Sequence, residues 1–247
     1  MKKYFQAFNM TQSMFCALPC PCRTWNEKAR PYMMLFLPLV GLEIGAAWVL
    51  AHTVLRFMQA PNLIYGLVMC AVTYLMSGFI HLDGFLDVTD AISSWKTLEQ
   101  RRAILKDSNV GAFSVIWCVF LILTGFAAFS SASAETNGWI LLTVPVLSRC
   151  CSAMAVMNLK PMSTSQYAGT SAYPKWHTGC MLFVILLLTV LGFVFGGKYG
   201  FVVIATLLGY GCALLRSYRL LEGMNGDISG FCLTIGELCG AVVFALL

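Results

Sequence analysis

The apolar positions of this chain do not alternate with polar ones; they run on. Residues 63–80, 111–134, 176–197 and 199–215 contain no Asp, Glu, Lys or Arg, while 31–55, 138–158 and 228–247 contain one each: Glu43, Arg149 and Glu237. A helix of about 20 apolar residues crosses a hydrocarbon core of about 30 Å. The pattern therefore predicts an all-α, polytopic bundle of about seven membrane-spanning helices, with 1–247 as a single integral membrane domain. At the start, the apolar residues are broken by Gln6, Asn9, Gln12 and Ser13 and flanked by prolines. That is unlike a cleavable signal peptide, and residues 1–30 read as an amphipathic segment on the membrane surface. Between the second and third runs, "TLEQRRAILKD" has the pattern of a short surface helix, broken by Ser108, Asn109 and Gly111.

Composition supports the pattern: 59% of residues are hydrophobic and 11% charged, against about 25% charged in a soluble domain. Alternating seven spans sorts the basic residues into two groups. Lys2, Lys3, Arg23, Lys28, Arg30, Lys96, Arg101, Arg102, Lys106, Lys160, Lys175, Arg216 and Arg219 fall on one side, and only Arg56 and Lys198 on the other. By the positive-inside rule the N-terminus is cytoplasmic and the C-terminus outside. The loops 81–110, 159–175 and 216–229 then share the cytoplasmic face of a cell (inner) membrane. The net charge of +5 follows from that asymmetry and from anionic lipid, and no nucleic-acid module is recognisable. The cysteines number 11, mostly within the spans, and imply no disulfide framework. Cys16, Cys20 and Cys22 lack a nearby fourth ligand for zinc.

The chemistry concentrates in "SGFIHLDGFLDVTD", residues 77–90. Asp83, Asp87 and Asp90 are four and seven residues apart, which puts them on one face of a helix. Three clustered carboxylates repel unless a cation compensates, and hard oxygen ligands suit Mg²⁺ or Mn²⁺, commonly shared with substrate phosphates. His81 reads as a proton shuttle, a phosphate ligand, or an interfacial histidine bonded to backbone. Asp107 and Asp227 lie in further cytoplasmic loops beside Gly111, Gly223, Gly226 and Gly230, where backbone N–H groups can approach an anion. Asp227 is expected either in the same site as Asp83 or as the cap of the last helix. Arg149, inside a span, is either a phosphate clamp or the ion-pair partner of Glu43 or Glu237.

Several stretches together resemble the cobalamin (5'-phosphate) synthases, also called adenosylcobinamide-GDP ribazoletransferases. "HLDGFLDVTDA" is similar to the family's H-x-D-G-L-A-D-x-x-D-G, and "KDSNVG" resembles its K-D-S-R-x-G through Lys106, Asp107, Ser108 and Gly111. "FLPLVGLEIG", "LSR" ending at Arg149, and "EGMNGDISG", with Asn225 and Asp227, resemble the family's other segments in the same order. Ala91, Asn109, Ser114 and Thr234 depart from the pattern. The resemblance implies a membrane-bound, Mg²⁺-dependent transferase that joins adenosylcobinamide-GDP to α-ribazole or its 5'-phosphate and releases GMP. It implies His81, Asp83, Asp87 and Asp90 as catalytic residues, with the three aspartates and Asp227 as metal ligands. Lys106, Asp107, Ser108, Arg149, Asn225 and Asp227 would contact substrate, and a homo-oligomer is left open. Two other readings compete. A CDP-alcohol phosphatidyltransferase requires an arginine after Asp87 that is missing here, and a cation-coupled transporter would set its ionisable residues near the midplane.

Overall fold

A computed structural model of the chain describes residues 2–20, 22, 25–107, 109–133, 135–163, 165 and 173–247. The described residues form helices α1 (Lys2–Phe15), α2 (Met33–Phe57), α3 (Asn62–Met76), α4 (Ile80–Ser93), α5 (Leu98–Ile104), α6 (Ala112–Ser131), α7 (Thr143–Asn158), α8 (Lys175–Gly196), α9 (Gly200–Leu221) and α10 (Gly226–Leu246). Five stretches are long and apolar enough to cross a membrane: Arg30–Phe57, Ala112–Ser131, Gly138–Asn158, Lys175–Leu221 and Gly226–Leu246. A sixth results if α3 and α4, bent by 92° at their junction, are counted together.

One of these features differs from the unbroken runs expected. The run 63–80 stops at Met76, where the Ser77 hydroxyl donates back to the Thr73 carbonyl (2.9 Å). Gly78 and Phe79 follow with φ of 60° and 64°, the left-handed region, which ends the helix and redirects the chain. Residues 80–93, expected to open a cytoplasmic loop, are therefore the helix α4.

The stretch Lys175–Leu221 is a hairpin. Thr178, in the first turn of α8, bonds Asn158 at the end of α7 (3.1 Å). Tyr199, at the entry to α9, packs on Phe244 near the end of α10. Since Ser148 and Ser152 of α7 pair with Glu237 and Ser229 of α10, α7 and α10 are antiparallel, and α8 and α9 must run in opposite directions. The reversal lies at Gly197, with φ of 56°.

α7 and α10 occupy the middle of the bundle, and much of α6 and α8 lies at its rim. Phe183, Leu186, Val190 and Val194 of α8 are all exposed, an apolar surface suited to hydrocarbon rather than water. Close backbone approach replaces the hydrophobic drive that helices lack in lipid: a Cβ on Gly41 of α2 would fall 2.6 Å from the Pro145 carbonyl of α7, and one on Gly45 2.6 Å from the carbonyl of Leu142 just before α7.

α1 is more than a surface segment. It buries Met10, Thr11, Gln12 and Phe15, and its Gln12 amide donates to Glu43 inside α2 (2.6 Å). The Thr11 hydroxyl donates to the Met33 carbonyl (3.1 Å) and the Ala17 N–H to the Met76 carbonyl (2.7 Å). These contacts hold the end of α1 against the α3–α4 bend. α5, begun by a capping box at Thr97 and Gln100, is fastened to the end of α9 by Arg102, which donates to the Leu221 and Glu222 carbonyls.

Candidate active site

The bend lays α4 against the start of α10, and two glycines set how closely. A Cβ on Gly84 would fall 2.8 Å from the Asp227 carbonyl oxygen and 2.9 Å from its Cα, and one on Gly230 would meet the His81 backbone at 3.1–3.2 Å. This crossing carries Asp227, from the far end of the chain, to the acidic face of α4. The charges of Asp83, Asp90 and Asp227 all bear on Asp87. Asp90 points its carboxylate at Gly111, so close that any side chain there would collide with it. Among the described residues, none of Asp83, Asp87, Asp90 and Asp227 has an ion-pair partner.

Three spaces meet at Asp83. An acidic cleft of about 240 Å³ also contains Asp87, Asp90, Asp107, Gly111 and Ser114. An enclosed pocket of about 90 Å³ runs under α1 and contains Phe15, His81, Ser152, Asp227 and Ser229. An open groove of about 520 Å³ lies between Ser13–Ala17 and the bend at Ser77–Ile80.

The remaining expected residues are placed unevenly. Asn225, not Asp227, caps α10: its Oδ1 accepts from the Ile228 N–H (2.9 Å), and its Nδ2 donates to Asp227 Oδ2 (2.7 Å). The cap thus aims the Asp227 carboxylate instead of consuming it. Asp107 lines the acidic cleft, and its Oδ1 accepts from the backbone N–H and the side-chain amide of Asn109 (3.0 and 2.7 Å). Lys106 is exposed just after α5 and lines none of the three spaces. Ser108 lies outside the described residues. Arg149 is fully buried in α7, and its Nη1 is committed to an ion pair with Glu237 while also donating to the Pro145 carbonyl (3.2 Å). Its Nε and Nη2 have no hydrogen-bond partner among the described residues, and Glu43, the other acidic residue within a span, takes Gln12.

The family described as cobalamin-5-phosphate synthase matches residues 7–245. The chain belongs to this family. An adenosylcobinamide-GDP ribazoletransferase of Clostridium perfringens is 34% identical over the whole of both chains. One from Clostridium botulinum is 32% identical over 97% of each, and one from Desulfitobacterium hafniense 32% over 82% of each. No solved structure matches the chain.

For a cobalamin-5-phosphate synthase, two of this chain's departures from the family pattern lie at the site itself. The Thr234 hydroxyl donates to the His81 carbonyl (3.3 Å), which ties α10 to α4, and Ser114 lines the acidic cleft while donating to the Gly111 carbonyl (2.6 Å). Three residues of the enclosed pocket were not foreseen. Ser152 and Ser229 are hydrogen-bonded to each other across α7 and α10; both belong to stretches that resemble the family or adjoin one, so their proximity to Arg149 and Asp227 was a usable signal. Phe15 had none, because α1 reads only as an amphipathic segment.

The donor chemistry fits Mg²⁺: four carboxylates from two helices, without cationic partners, converge on one side of the bundle. As the side chains stand, no three His, Cys, Asp or Glu among the described residues form a ready-made metal site.

Proposed function

We propose that the chain is a membrane transferase that joins adenosylcobinamide-GDP to α-ribazole, or to its 5'-phosphate, giving adenosylcobalamin or its 5'-phosphate and GMP, the last step in assembling the nucleotide loop. One observation carries the reading beyond family membership. Unpaired carboxylates of α4 and α10 meet around Asp83, as a site handling a diphosphate and its metal requires.

In the reaction a ribazole hydroxyl oxygen forms a bond to the phosphorus that carries cobinamide. The P–O bond to GMP breaks, and the hydroxyl proton passes to a carboxylate of the cluster. Asp83, Asp87, Asp90 and Asp227 would hold Mg²⁺, which when bound neutralises charge on the diphosphate. The chain itself supplies the positioning. Gly111 leaves room for Asp90, Asn225 orients Asp227, and the Gly84–Asp227 contact holds the two carboxylate-bearing helices at a set distance. Lys106, exposed next to Asp107 of the cleft, would supply the positive charge that meets the anionic substrate.

We further propose that α2, α3 with its bend, α6, α7, α8, α9 and α10 make seven crossings, with the site on the cytoplasmic face of the inner membrane. The basic residues support this, because the ends of α7, α9 and the starts of α8 and α10 lie on the face that carries α5 and its arginines. Purified protein given both substrates and Mg²⁺ should release GMP and form the cobalamin product, with no product when ribazole is omitted. Absence of GMP release with every ribazole form overturns the assignment.

A further inference from the structure

α4 presents different chemistry on its two faces. Asp83, Asp87 and Asp90 line the acidic cleft, while Phe85, Thr89 and Ile92, spaced by four and three residues, line a separate groove behind the helix. That groove measures about 360 Å³, the size of a ligand site. Its floor is buried: Phe85 and Thr89 of α4 with Phe231 of α10, the Phe85 and Phe231 rings stacked at 5.7 Å. Its banks are α6 and α9, whose lining residues Trp117, Phe120, Cys212 and Arg216 are all exposed. The groove therefore opens sideways, between helices of stretches long and apolar enough to cross a membrane, onto hydrocarbon rather than water.

Its polarity is one-sided. Phe231, Ile235 and Leu238 continue an apolar wall along α10 for about 10 Å at 1.5 Å per residue, out of the roughly 15 Å of hydrocarbon in one leaflet. Arg216 stands at one end. The contact of Ser217 with Cys232 (3.7 Å) puts Arg216 level with Phe231, near the turn that joins α9 to α10 and on the side of the bundle that bears Asp227. Among the described residues Arg216 is the one charged residue in the lining, and it has neither an ion pair nor a hydrogen bond. An arginine that merely snorkels to the headgroups needs no channel beneath it. This one heads an apolar channel between helices.

An unpaired cation, an apolar run below it and a lateral opening together fit an anionic amphiphile of the bilayer, and basic pockets between membrane helices are recurrent headgroup sites. A partner helix is too wide, since at about 10 Å across it would need ~800 Å³ over this length. A zwitterionic lipid would bring an ammonium that finds no carboxylate in the lining. Arg219, exposed one turn beyond Arg216 on α9, adds to the positive potential at the same end.

We propose that this groove binds an anionic phospholipid. Its phosphate sits on the Arg216 guanidinium, and one acyl chain lies along α10 between α6 and α9, behind Phe85 and Thr89. The chain braces α4 from the back while the aspartates of the same helix face the cleft. The binding site rests on the groove alone; its effect on GMP release rests on the proposed transferase reading.

The probe is phosphatidylglycerol with a diazirine in its acyl chain, present at trace level in phosphatidylcholine nanodiscs that hold the full-length protein. Photolysis should label the peptides of α6 and α9 that line the groove. Excess unlabelled phosphatidylglycerol should displace that label, whereas excess phosphatidylcholine or inorganic phosphate should not. Arg216→Gln removes the charged contact and should cut the groove label ~10-fold, and Ala213→Phe, which fills the groove, should cut it no less. Label on the exposed face of α8, at Phe183 and Leu186, should not change in either variant. With both substrates and Mg²⁺, the unaltered protein should release GMP several-fold faster in nanodiscs containing phosphatidylglycerol than in phosphatidylcholine alone, and Arg216→Gln should lose the difference. Absence of label from the groove, label that survives in both variants, or displacement as effective by phosphatidylcholine or by inorganic phosphate overturns the site. A rate of GMP release indifferent to lipid composition overturns the bracing of α4. If no lipid supports GMP release, the transferase reading falls and the labelling alone decides the groove.

Discussion

Replacing Gly84 by alanine adds one methyl group at the point where α4 and α10 cross. That carbon would sit 2.8 Å from the Asp227 carbonyl oxygen and 2.9 Å from its Cα, both backbone atoms that cannot swing aside. Ordinary contact begins near 3.4 Å, so the helices must part by about 0.6 Å. Overpacking of this kind costs about 1–3 kcal/mol, enough to lower the unfolding temperature in detergent measurably. The larger effect falls on the reaction. The displaced backbone belongs to Asp227, whose charge bears on Asp87, and a misplacement approaching 1 Å in an active site can cost about 10²-fold in rate. We expect Gly84→Ala to insert in the membrane and to lose between ~10-fold and ~10²-fold of GMP release. Gly211→Ala in α9 is the control, because a Cβ there meets nothing within 4 Å. It should be as active as the unaltered protein and, by helix propensity, no less stable. If Gly84→Ala matches the control in both rate and stability, the close α4–α10 crossing does not set the geometry of the carboxylates.

Asp83→Asn, Asp87→Asn and Asp90→Asn should each lower turnover at limiting Mg²⁺ by at least ~10²-fold without loss of insertion, since each exchanges a charged ligand for a neutral one; near-normal rates in all three would remove the metal assignment. Glu237→Ala leaves the fully buried Arg149 guanidinium without its counter-charge, which should destabilise the bundle by about 3–5 kcal/mol. A thermal midpoint equal to that of the unaltered protein would show that the pair contributes little. Single-cysteine labelling in intact cells should find residues 95–106 shielded and residues 131–137 accessible from outside. Labelling of both segments from the same side would refute the seven-crossing topology.

Much of this protein was legible in its sequence, and the limits of that reading have a physical cause. Long uncharged runs can satisfy their backbone in hydrocarbon only as helices, so an all-helical membrane bundle followed without any knowledge of packing. The spacing of Asp83, Asp87 and Asp90 depends on helical periodicity alone, and it holds in α4. Even the short helix around Arg101 announced itself, because the interleaving of Leu98, Ala103, Ile104 and Leu105 with charges is a local pattern, although the capping box at Thr97 was seen only in the structure. What stayed hidden were choices between partners distant in the chain. Hydropathy gives Glu43 and Glu237 equal claim to Arg149; the packing of α10 on α7 awards it to Glu237, while α1 brings Gln12 to Glu43. The run 63–80 looks continuous because Ser77, Gly78 and Phe79 carry no charge, yet their backbone turns the chain by 92° and thereby creates the face on which the aspartates sit. Gly84 and Gly230 matter only because they oppose Asp227 and His81. Phe15 reaches the site because α1 folds back onto the bend, and no periodicity within α1 says where it docks. Local pattern decides which helices form; the fit of small residues against backbone atoms far along the chain decides which side chains meet, and with them the site.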